Sequence, residues 1–181
     1  MNGGDPTRDD APAFWCDAML GGLARWLRAA GYDAAWVEGI DDSELVRRAL
    51  AGRRILLTAD RGLVQRGVIR SGHVRALLVP HDLRKLGQLR FVLRTLGLER
   101  RPARCMACGG RLEEIPRESA RPEAPPRTFA WCDTFFRCRR CAKLFWRGTH
   151  WSHIESVLDS AGPPGDRPGP GPDAALPPDA P

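Results

Sequence analysis

The chain has 181 residues, of which 43% are hydrophobic and 28% charged, a composition typical of a soluble globular protein with one domain or slightly more. Its 28 Lys and Arg against 22 Asp and Glu give a formal net charge of +6, which fits a polyanionic partner and ordinary solubility equally well. No apolar run approaches the roughly 20 residues of a membrane helix, and the first residues lack the apolar segment of an export signal. We therefore expect a cytoplasmic protein.

The first part of the chain predicts a strand followed by a helix. After an expected flexible arm at residues 1–13, the apolar run Phe14–Cys16 is typical of a short buried strand. Between residues 19 and 30, apolar side chains recur at the i, i+3, i+4, i+7 spacing of one buried helix face. Arg25 and Arg28 fall outside that face, and for Arg28 we expect a solvated position.

Strands and helices continue to alternate up to about residue 100. The Asp41 to Glu44 spacing is that of a capping box, which marks the start of a helix at 42–51. The remaining predicted elements are strands at 34–37, 54–58 and 74–79 and a helix at 83–96. Such alternation indicates right-handed βαβ units, so residues 14–100 are expected to form an α/β domain with a parallel sheet.

A second unit is expected over residues 101–160. It holds two cysteine pairs, a polar, Pro-rich insert at 114–127 that predicts a loop, and a short helix at 149–160. Residues 161–181 are rich in Pro and Gly and have no apolar periodicity, so we expect a disordered tail there.

The two Cys-x-x-Cys pairs of this unit are the strongest chemical signal in the chain. Cys105-Met-Ala-Cys108 and Cys138-Arg-Arg-Cys141 have the spacing of zinc knuckles, each of which supplies two thiolates from one tight turn. Four thiolates leave no open position for a substrate, so the predicted zinc site is structural. Cys132 is either a spare thiol or an alternative ligand, whereas Cys16, inside an apolar strand, is expected to be a small buried residue.

Three aspartates stand at the edges of predicted elements in the first domain. Asp17 follows the first strand, Asp42 opens the helix after the second, and Asp60 follows the third. Because ligands gather at the carboxyl ends of parallel strands, all three carboxylates can converge, and such oxygen-rich clusters favour magnesium or manganese. The alternative for Asp42 and Asp60 is a helix-starting role, in which a carboxylate accepts from free backbone N–H groups. Thr58 either orients a metal-bound water or only belongs to its strand.

Other side chains have weaker functional interpretations. Arg25 has the planar fork that suits a phosphate, and we select it as a substrate-binding residue. Trp146, His150 and Trp151 either stack on bases or, as we favour, belong to the hydrophobic core and packing of the second unit.

Several of these segments together resemble the Mut-seven carboxy-terminal RNase family, over roughly residues 14–158 and in the same order. The matching segments are Asp17-Ala-Met-Leu-Gly-Gly-Leu-Ala-Arg-Trp-Leu-Arg28, Asp42-Ser-Glu-Leu, Arg54-Ile-Leu-Leu-Thr-Ala-Asp60, Gln88-Leu, the two knuckles and Phe145-Trp-Arg-Gly-Thr-His150. The resemblance implies a PIN-like nuclease domain followed by a small zinc ribbon. It also implies that Asp17, Asp42 and Asp60 are the catalytic acids of a ribonuclease, with Mg²⁺ or Mn²⁺ as the catalytic ion.

Two positions depart from the family pattern. Ala59 stands where a basic residue usually precedes the last acid, and Gly62 stands where wider PIN nucleases often have a fourth acid. The leading hypothesis is therefore a metal-dependent RNase acting on single-stranded or structured RNA, with a homodimer as a further expectation. The alternatives are a non-catalytic RNA- or ribosome-binding module and, more remotely, a protein-interaction adaptor.

Overall fold

A four-stranded parallel sheet forms the centre of the first unit. The structure, a computed structural model, describes residues 11–161, so most of the predicted arm and nearly all of the predicted tail lie outside it. The sheet has the order β2-β1-β3-β4, with β1 at Phe14–Cys16, β2 at Ala34–Ala35, β3 at Ile55–Thr58 and β4 at Ala76–Leu78. The intervening helices are a 3₁₀ turn at Ala18–Leu20, α1 at Gly21–Ala29, α2 at Asp42–Ala51, α3 at Arg61–Val64, α4 at Gly67–Arg70 and α5 at Lys85–Thr95.

Strand β3 shows why this sheet is covered on both faces. All four of its residues are buried, as expected for a strand inside a parallel sheet with helices on either side. Ile55 and Leu57 join the core beneath α1 and α5, whereas Leu56 points to the opposite face and packs with Leu45 and Leu63 of α2 and α3. The alternation of a strand thus divides one apolar run between two cores. The predicted α/β fold with a parallel sheet is confirmed.

The predicted helix at 19–30 begins differently from its sequence pattern. A 3₁₀ turn precedes α1 because Asp17 caps it, accepting a hydrogen bond from the Ala18 backbone N–H at 2.5 Å. Gly21 then opens α1 directly against Trp36, where a Cβ atom would lie 2.6 Å from the indole ring. Trp36 in turn donates its indole N–H to the Ala18 carbonyl at 2.9 Å. The second strand is shorter than predicted and ends at Ala35.

The second unit is a three-stranded antiparallel sheet of order β5-β6-β7 with helices around it. Its elements are β5 at Leu112–Ile115, α6 at Arg117–Ala120, α7 at Pro126–Trp131, β6 at Phe135–Cys138, β7 at Leu144–Trp146 and α8 at Thr149–Ala161. The predicted helix at 149–160 is confirmed. None of the described helices is long and apolar enough to cross a membrane.

The expected loop at 114–127 is wrong, because the segment contains the end of β5, the whole of α6 and the start of α7. Three of its four prolines, Pro116, Pro125 and Pro126, precede or open helices, as proline does at a first helical turn, and Pro122 lies in the turn after α6. The two helices bring Phe129 onto Phe135, with ring centroids 5.9 Å apart, and the Arg117 guanidinium lies 4.0 Å from the centre of the Phe129 ring. The insert therefore supplies part of a small aromatic core.

Arg28 joins the two units, and its expected solvated position is wrong. It is 5% exposed. Its Nε donates to the Ala34 carbonyl at 2.8 Å, and Nη1 donates to the carbonyls of Met106 and Ala107 at 3.0 and 2.8 Å. The guanidinium is buried because the chain returns across α1, where the Arg104 N–H donates to the Arg28 carbonyl at 2.8 Å. One side chain of the first unit thus holds the backbone of the first cysteine knuckle.

Candidate functional site

The four knuckle cysteines form a converged group of ligand atoms. The Sγ atoms of Cys105, Cys108, Cys138 and Cys141 all lie within 4.8 Å of one another. Cys105 and Cys141 are 3.7 Å apart, and Cys108 and Cys138 are 3.4 Å apart. Zn–S bonds of about 2.3 Å in a tetrahedron require sulfur separations close to these. The group can hold a metal ion such as zinc, in agreement with the predicted zinc ribbon.

Backbone N–H groups and a glycine shape this cysteine cage. The N–H groups of Arg140 and Cys141 point at the Cys138 sulfur at 3.4 and 3.5 Å. Burial acts to raise the pKa of Cys138, but these N–H groups and the hydrogen bonds with the Cys108 and Cys141 side chains together outweigh it and lower the pKa to about 7. Burial raises the pKa of Cys105 to about 12, so a bound cation must displace that proton. Glycine is required at position 110, since a Cβ there would lie 2.7 Å from the Cys138 sulfur.

The other two cysteines lie outside the cage. Cys132 is buried in the aromatic core of the ribbon and donates its thiol to the carbonyls of Thr134 and Arg147 at 3.4 Å each. It is therefore the spare thiol of the two alternatives. Cys16 is a small buried residue, as predicted, and burial raises its pKa to about 12.

The sheet order places the three predicted acids along one edge. Strand β1 lies between β2 and β3 and is parallel to both. The chain leaves β1 towards β2 and returns on the other side of β1 as β3, which makes the carboxyl end of β1 a topological switch point. Asp17 follows β1 directly, Asp60 follows β3 by two residues, and Asp42 opens the helix that leads away from β2. We call these ends the acidic edge.

Thr58 connects two of the acids at this edge. Its hydroxyl donates to Oδ2 of Asp17 at 2.6 Å and accepts from the Asp60 backbone N–H at 3.0 Å. Asp17 is 6% exposed and Thr58 is fully buried, so this link lies away from bulk water. Oδ1 of Asp60 accepts from the Gly62 N–H at 2.7 Å and thereby caps α3. The second carboxylate oxygen of Asp60 takes no part in this cap.

The third acid has a different partner. Asp41, not Asp42, caps α2, accepting from the N–H groups of Ser43 and Glu44 at 2.8 and 3.0 Å. Oδ2 of Asp42 accepts from Nη2 of Arg66 at 3.1 Å, and the Asp42 side chain is 41% exposed. Arg66 was not selected from the sequence, and no local pattern links it to an acid 24 residues earlier.

The three carboxylates lie along one edge of the sheet, but their oxygen atoms do not converge on one point. In the part of the chain that the structure describes, the cysteine cage is the one group of three or more metal-ligating side chains whose ligand atoms lie within 4.8 Å of each other. Each aspartate is instead engaged by a protein group: Asp17 by Thr58, Asp60 by Gly62 and Asp42 by Arg66. Carboxylate oxygens are nevertheless the donors that hard cations such as Mg²⁺ prefer, so the chemistry of the set fits such an ion.

Arg25, the predicted substrate-binding residue, is exposed on α1. It lines a cavity of about 600 Å³ at the amino-terminal ends of α1 and α5, together with Trp26, Trp36 and Lys85. Lys85 was not selected from the sequence, because its approach to α1 depends on how α5 packs. Its side chain lies so close to Gly22 that a Cβ there would be 2.8 Å from the lysine Cδ.

The aromatic residues after the second knuckle belong mainly to the ribbon. Trp146 packs against its core, and Trp151 stacks on Phe136 with ring centroids 5.5 Å apart and planes inclined by 13°. The favoured structural interpretation of both residues is thus confirmed, whereas the side chain of His150 is outside the described part. Trp131, which was not selected from the sequence, is 56% exposed at the end of α7.

One comparison with known proteins gave a match. The model of the family described as Mut7-C RNAse domain matches residues 12–158, a span that contains both the acidic edge and the cysteine cage. No curated protein and no solved structure matches the chain.

Proposed function

The chain belongs to the Mut7-C RNAse domain family, and we propose that it is a metal-dependent ribonuclease that hydrolyses phosphodiester bonds of RNA. The observation that supports this most is the acidic edge itself. Asp17 and Asp60 follow β1 and β3 within two residues, and Asp42 opens the helix that follows β2. These three strands are adjacent and parallel, and α/β proteins bind their ligands at the carboxyl ends of such strands.

In this proposal the three aspartates hold one or two divalent cations, Mg²⁺ or Mn²⁺. A cation held by these carboxylates would lower the pKa of a water molecule and would neutralise charge on the attacked phosphate. The chain's own contribution is to hold the acids in place. The Thr58 hydroxyl fixes the Asp17 carboxylate, and the α3 cap fixes that of Asp60. Asp42 must exchange its contact with Arg66 for a cation.

Arg25 is the proposed phosphate contact. It is exposed on the helix that follows Asp17, and Lys85 lines the same cavity from α5. The guanidinium and ammonium groups that line this cavity would attract a polyanionic strand and orient its phosphates for an in-line displacement. No side chain needs to form a covalent intermediate. The zinc ribbon braces this domain through Arg28 and adds surface for the substrate.

A cleavage assay tests the proposal. An end-labelled pool of single-stranded RNA is incubated with Mn²⁺ and the full-length, zinc-loaded protein. The Asp17→Asn and Asp60→Asn variants are run beside it at matched zinc content. Both variants are expected to lose cleavage, and EDTA is expected to abolish it. Asp133→Asn, whose carboxylate is 91% exposed on the ribbon, is the matched control and should cleave normally. Equal cleavage by all four proteins would overturn the proposal.

The second candidate is a non-catalytic RNA-binding module. One observation favours it: each carboxylate at the acidic edge already has a protein partner. The partner of Asp42 is the positively charged Arg66, which lies where a metal cation would bind that carboxylate. Ala59 and Gly62 also leave the edge without the basic residue and the fourth acid of related sequences. RNA that binds the protein without being cut in Mn²⁺ would make this module the working function.

A further inference from the structure

A cavity of about 470 Å³ lies between the ribbon and the helices of the first unit. Its walls are mostly apolar, and they come from both units. Ala29 and Met106 line it on the side of α1 and the first knuckle, Phe145 and Trp146 line it from β7, and Ile154 and Leu158 from α8. This cavity, which we call the interdomain groove, is not part of the acidic edge.

Trp131 lines the interdomain groove, and more than half of its surface is exposed to solvent. It is the one aromatic residue among the exposed large hydrophobic residues of the described chain. The ring lies over Gly148, where a Cβ atom would be 3.1 Å from the indole. The aromatic core of the ribbon is built from Phe129 and Phe135 and does not require Trp131. An exposed indole with an accessible face is the kind of surface on which unpaired bases stack.

The charged residues of the groove favour a polyanion. Arg100, Arg104 and Lys143 line it against one acid, Glu155. Arg100 forms ion pairs with both Glu155, at 2.9 Å, and Asp159, at 2.6 Å, so the positive charge that the rim offers a ligand comes mainly from Lys143. Lys143 is exposed and forms no ion pair among the described residues. An apolar floor with a cationic rim suits a nucleic acid better than a neutral peptide, because both its bases and its phosphates find complementary groups.

The interdomain groove adjoins the cavity near the acidic edge. Met106 and Ile154 line both the interdomain groove and the cavity that contains Arg25 and Lys85. That second cavity includes Gly21, which begins the helix that follows Asp17 through one 3₁₀ turn. A strand whose phosphates contact Arg25 would pass over Met106 and Ile154 to reach the groove.

We propose that the interdomain groove is a subsite for unpaired bases of single-stranded RNA, with Trp131 as the stacking residue and Lys143 as a phosphate contact. The inference rests on the proposed function, since it takes RNA as the ligand of the neighbouring edge. Bases paired in a duplex cannot enter such a groove, so the subsite selects single-stranded RNA or unpaired segments of a folded RNA.

Fluorescence anisotropy with labelled RNA tests this subsite without requiring cleavage. A single-stranded 12-nucleotide RNA and a 12-base-pair duplex are titrated with full-length, zinc-loaded protein in the absence of Mg²⁺ and Mn²⁺. Trp131→Ala should weaken single-strand binding roughly tenfold, because stacking on one aromatic ring contributes about that much, and Trp131→Phe should retain most of it. Lys143→Ala should reduce the slope of log affinity against log salt by about 0.7.

The matched control is Leu50→Ala, which removes an exposed apolar side chain, 46% accessible, from α2 and outside the groove. It should bind RNA like the parent protein. Equal affinities for Trp131→Ala and Leu50→Ala, or an equal loss for duplex and single strand, would overturn the subsite. A change of oligomeric state in Trp131→Ala without loss of RNA affinity would also overturn it, and would assign the groove to a protein partner.

The cleavage assay separates this inference from the proposed function. Cleavage by the parent protein with no effect of Trp131 on binding would remove the subsite and leave the nuclease. Trp131-dependent binding without cleavage would retain the subsite and remove the nuclease. A parent protein that binds no RNA would overturn both.

Discussion

The cysteine cage and the acidic edge are two candidate metal sites built in different ways. In the cage, four sulfur atoms lie within 4.8 Å of one another, and each ligand pair comes from a turn of four residues. At the edge, Asp17 and Thr58 are 41 residues apart and meet only because β1 and β3 are neighbours. Local turns thus preorganise the sulfur site, whereas the topology of the sheet assembles the oxygen site.

The two sites also differ in what occupies their ligand atoms. The cysteine sulfurs accept weak hydrogen bonds from knuckle N–H groups that remain compatible with a bound ion. The carboxylates of Asp42 and Asp60 instead bind an arginine and a helix amino terminus. We expect the cage to act as a permanent structural site and the edge to exchange its cation readily.

The largest effect is expected from a variant that removes one ligand of the cysteine cage. Cys105→Ala should abolish stoichiometric zinc binding and unfold the ribbon, because the free energy of binding a structural zinc ion, on the order of 10 kcal/mol, is folding free energy. Zinc is measured by mass spectrometry on purified protein, and ribbon packing by near-ultraviolet circular dichroism. Cys132→Ala, also buried but outside the cage, is the control and should keep its zinc. Equal zinc content in the two variants would contradict the four-cysteine assignment.

The second largest effect is expected from the contact that joins the first unit to the cysteine knuckle at residues 105–108. Arg28→Met removes a buried guanidinium that donates to three carbonyls. It should lower the free energy of unfolding by about 3 kcal/mol or more, since each charged hydrogen bond contributes roughly 1.5–3 kcal/mol. Urea denaturation of zinc-loaded protein measures the change. Arg25→Met, on the exposed face of the same helix, should change stability by less than about 0.5 kcal/mol. A similar small loss for both would show that Arg28 does not join the units.

A smaller effect is expected inside the acidic edge. Thr58→Val keeps the side-chain shape but removes the hydroxyl that serves Asp17 and Asp60. Stability should fall by about 1–3 kcal/mol, because a buried carboxylate oxygen and an N–H lose their partner. Cleavage should fall with it, as measured at a temperature where the variant is folded. Thr58→Ser restores the hydroxyl and should restore both properties. Full activity of Thr58→Val would mean that the link is not needed to position Asp17.

The smallest effect on stability comes from the partner of Asp42. Arg66→Gln breaks a partly exposed ion pair and should change the free energy of unfolding by less than about 1 kcal/mol. Mn²⁺ should nevertheless bind more tightly, since a competing cation has been removed from the carboxylate. Isothermal titration with Mn²⁺ measures this, with exposed Arg70→Gln as the control. Weaker Mn²⁺ binding in Arg66→Gln would show that the arginine supports the cation site.

Local patterns predicted much of this molecule. The apolar run of β3, the periodicity of α1 and the two knuckles each depend on neighbours in sequence, and the structure contains them all. Alternating strands and helices were enough to predict a parallel sheet, and a parallel sheet was enough to bring Asp17 and Asp60 to the same edge.

These local patterns do not predict contacts between residues that are distant in sequence. The helical pattern predicts a solvated Arg28. It does not show the carbonyls of Met106 and Ala107, which accept from the buried guanidinium and come 78 and 79 residues later in the chain. The ion pair between Asp42 and Arg66 depends on how α4 follows α3. The sequence predicts a loop at 114–127 because prolines mark both turns and helix starts, and only the packing around Phe129 distinguishes the two.

The most direct test of two separate metal sites is a manganese titration followed by electron paramagnetic resonance, on protein whose zinc content is known. We expect Mn²⁺ to bind the zinc-loaded parent, and we expect Asp60→Asn to lose this binding while its zinc content stays the same. Mn²⁺ binding that survives in Asp60→Asn, or zinc that leaves together with the manganese, would contradict it.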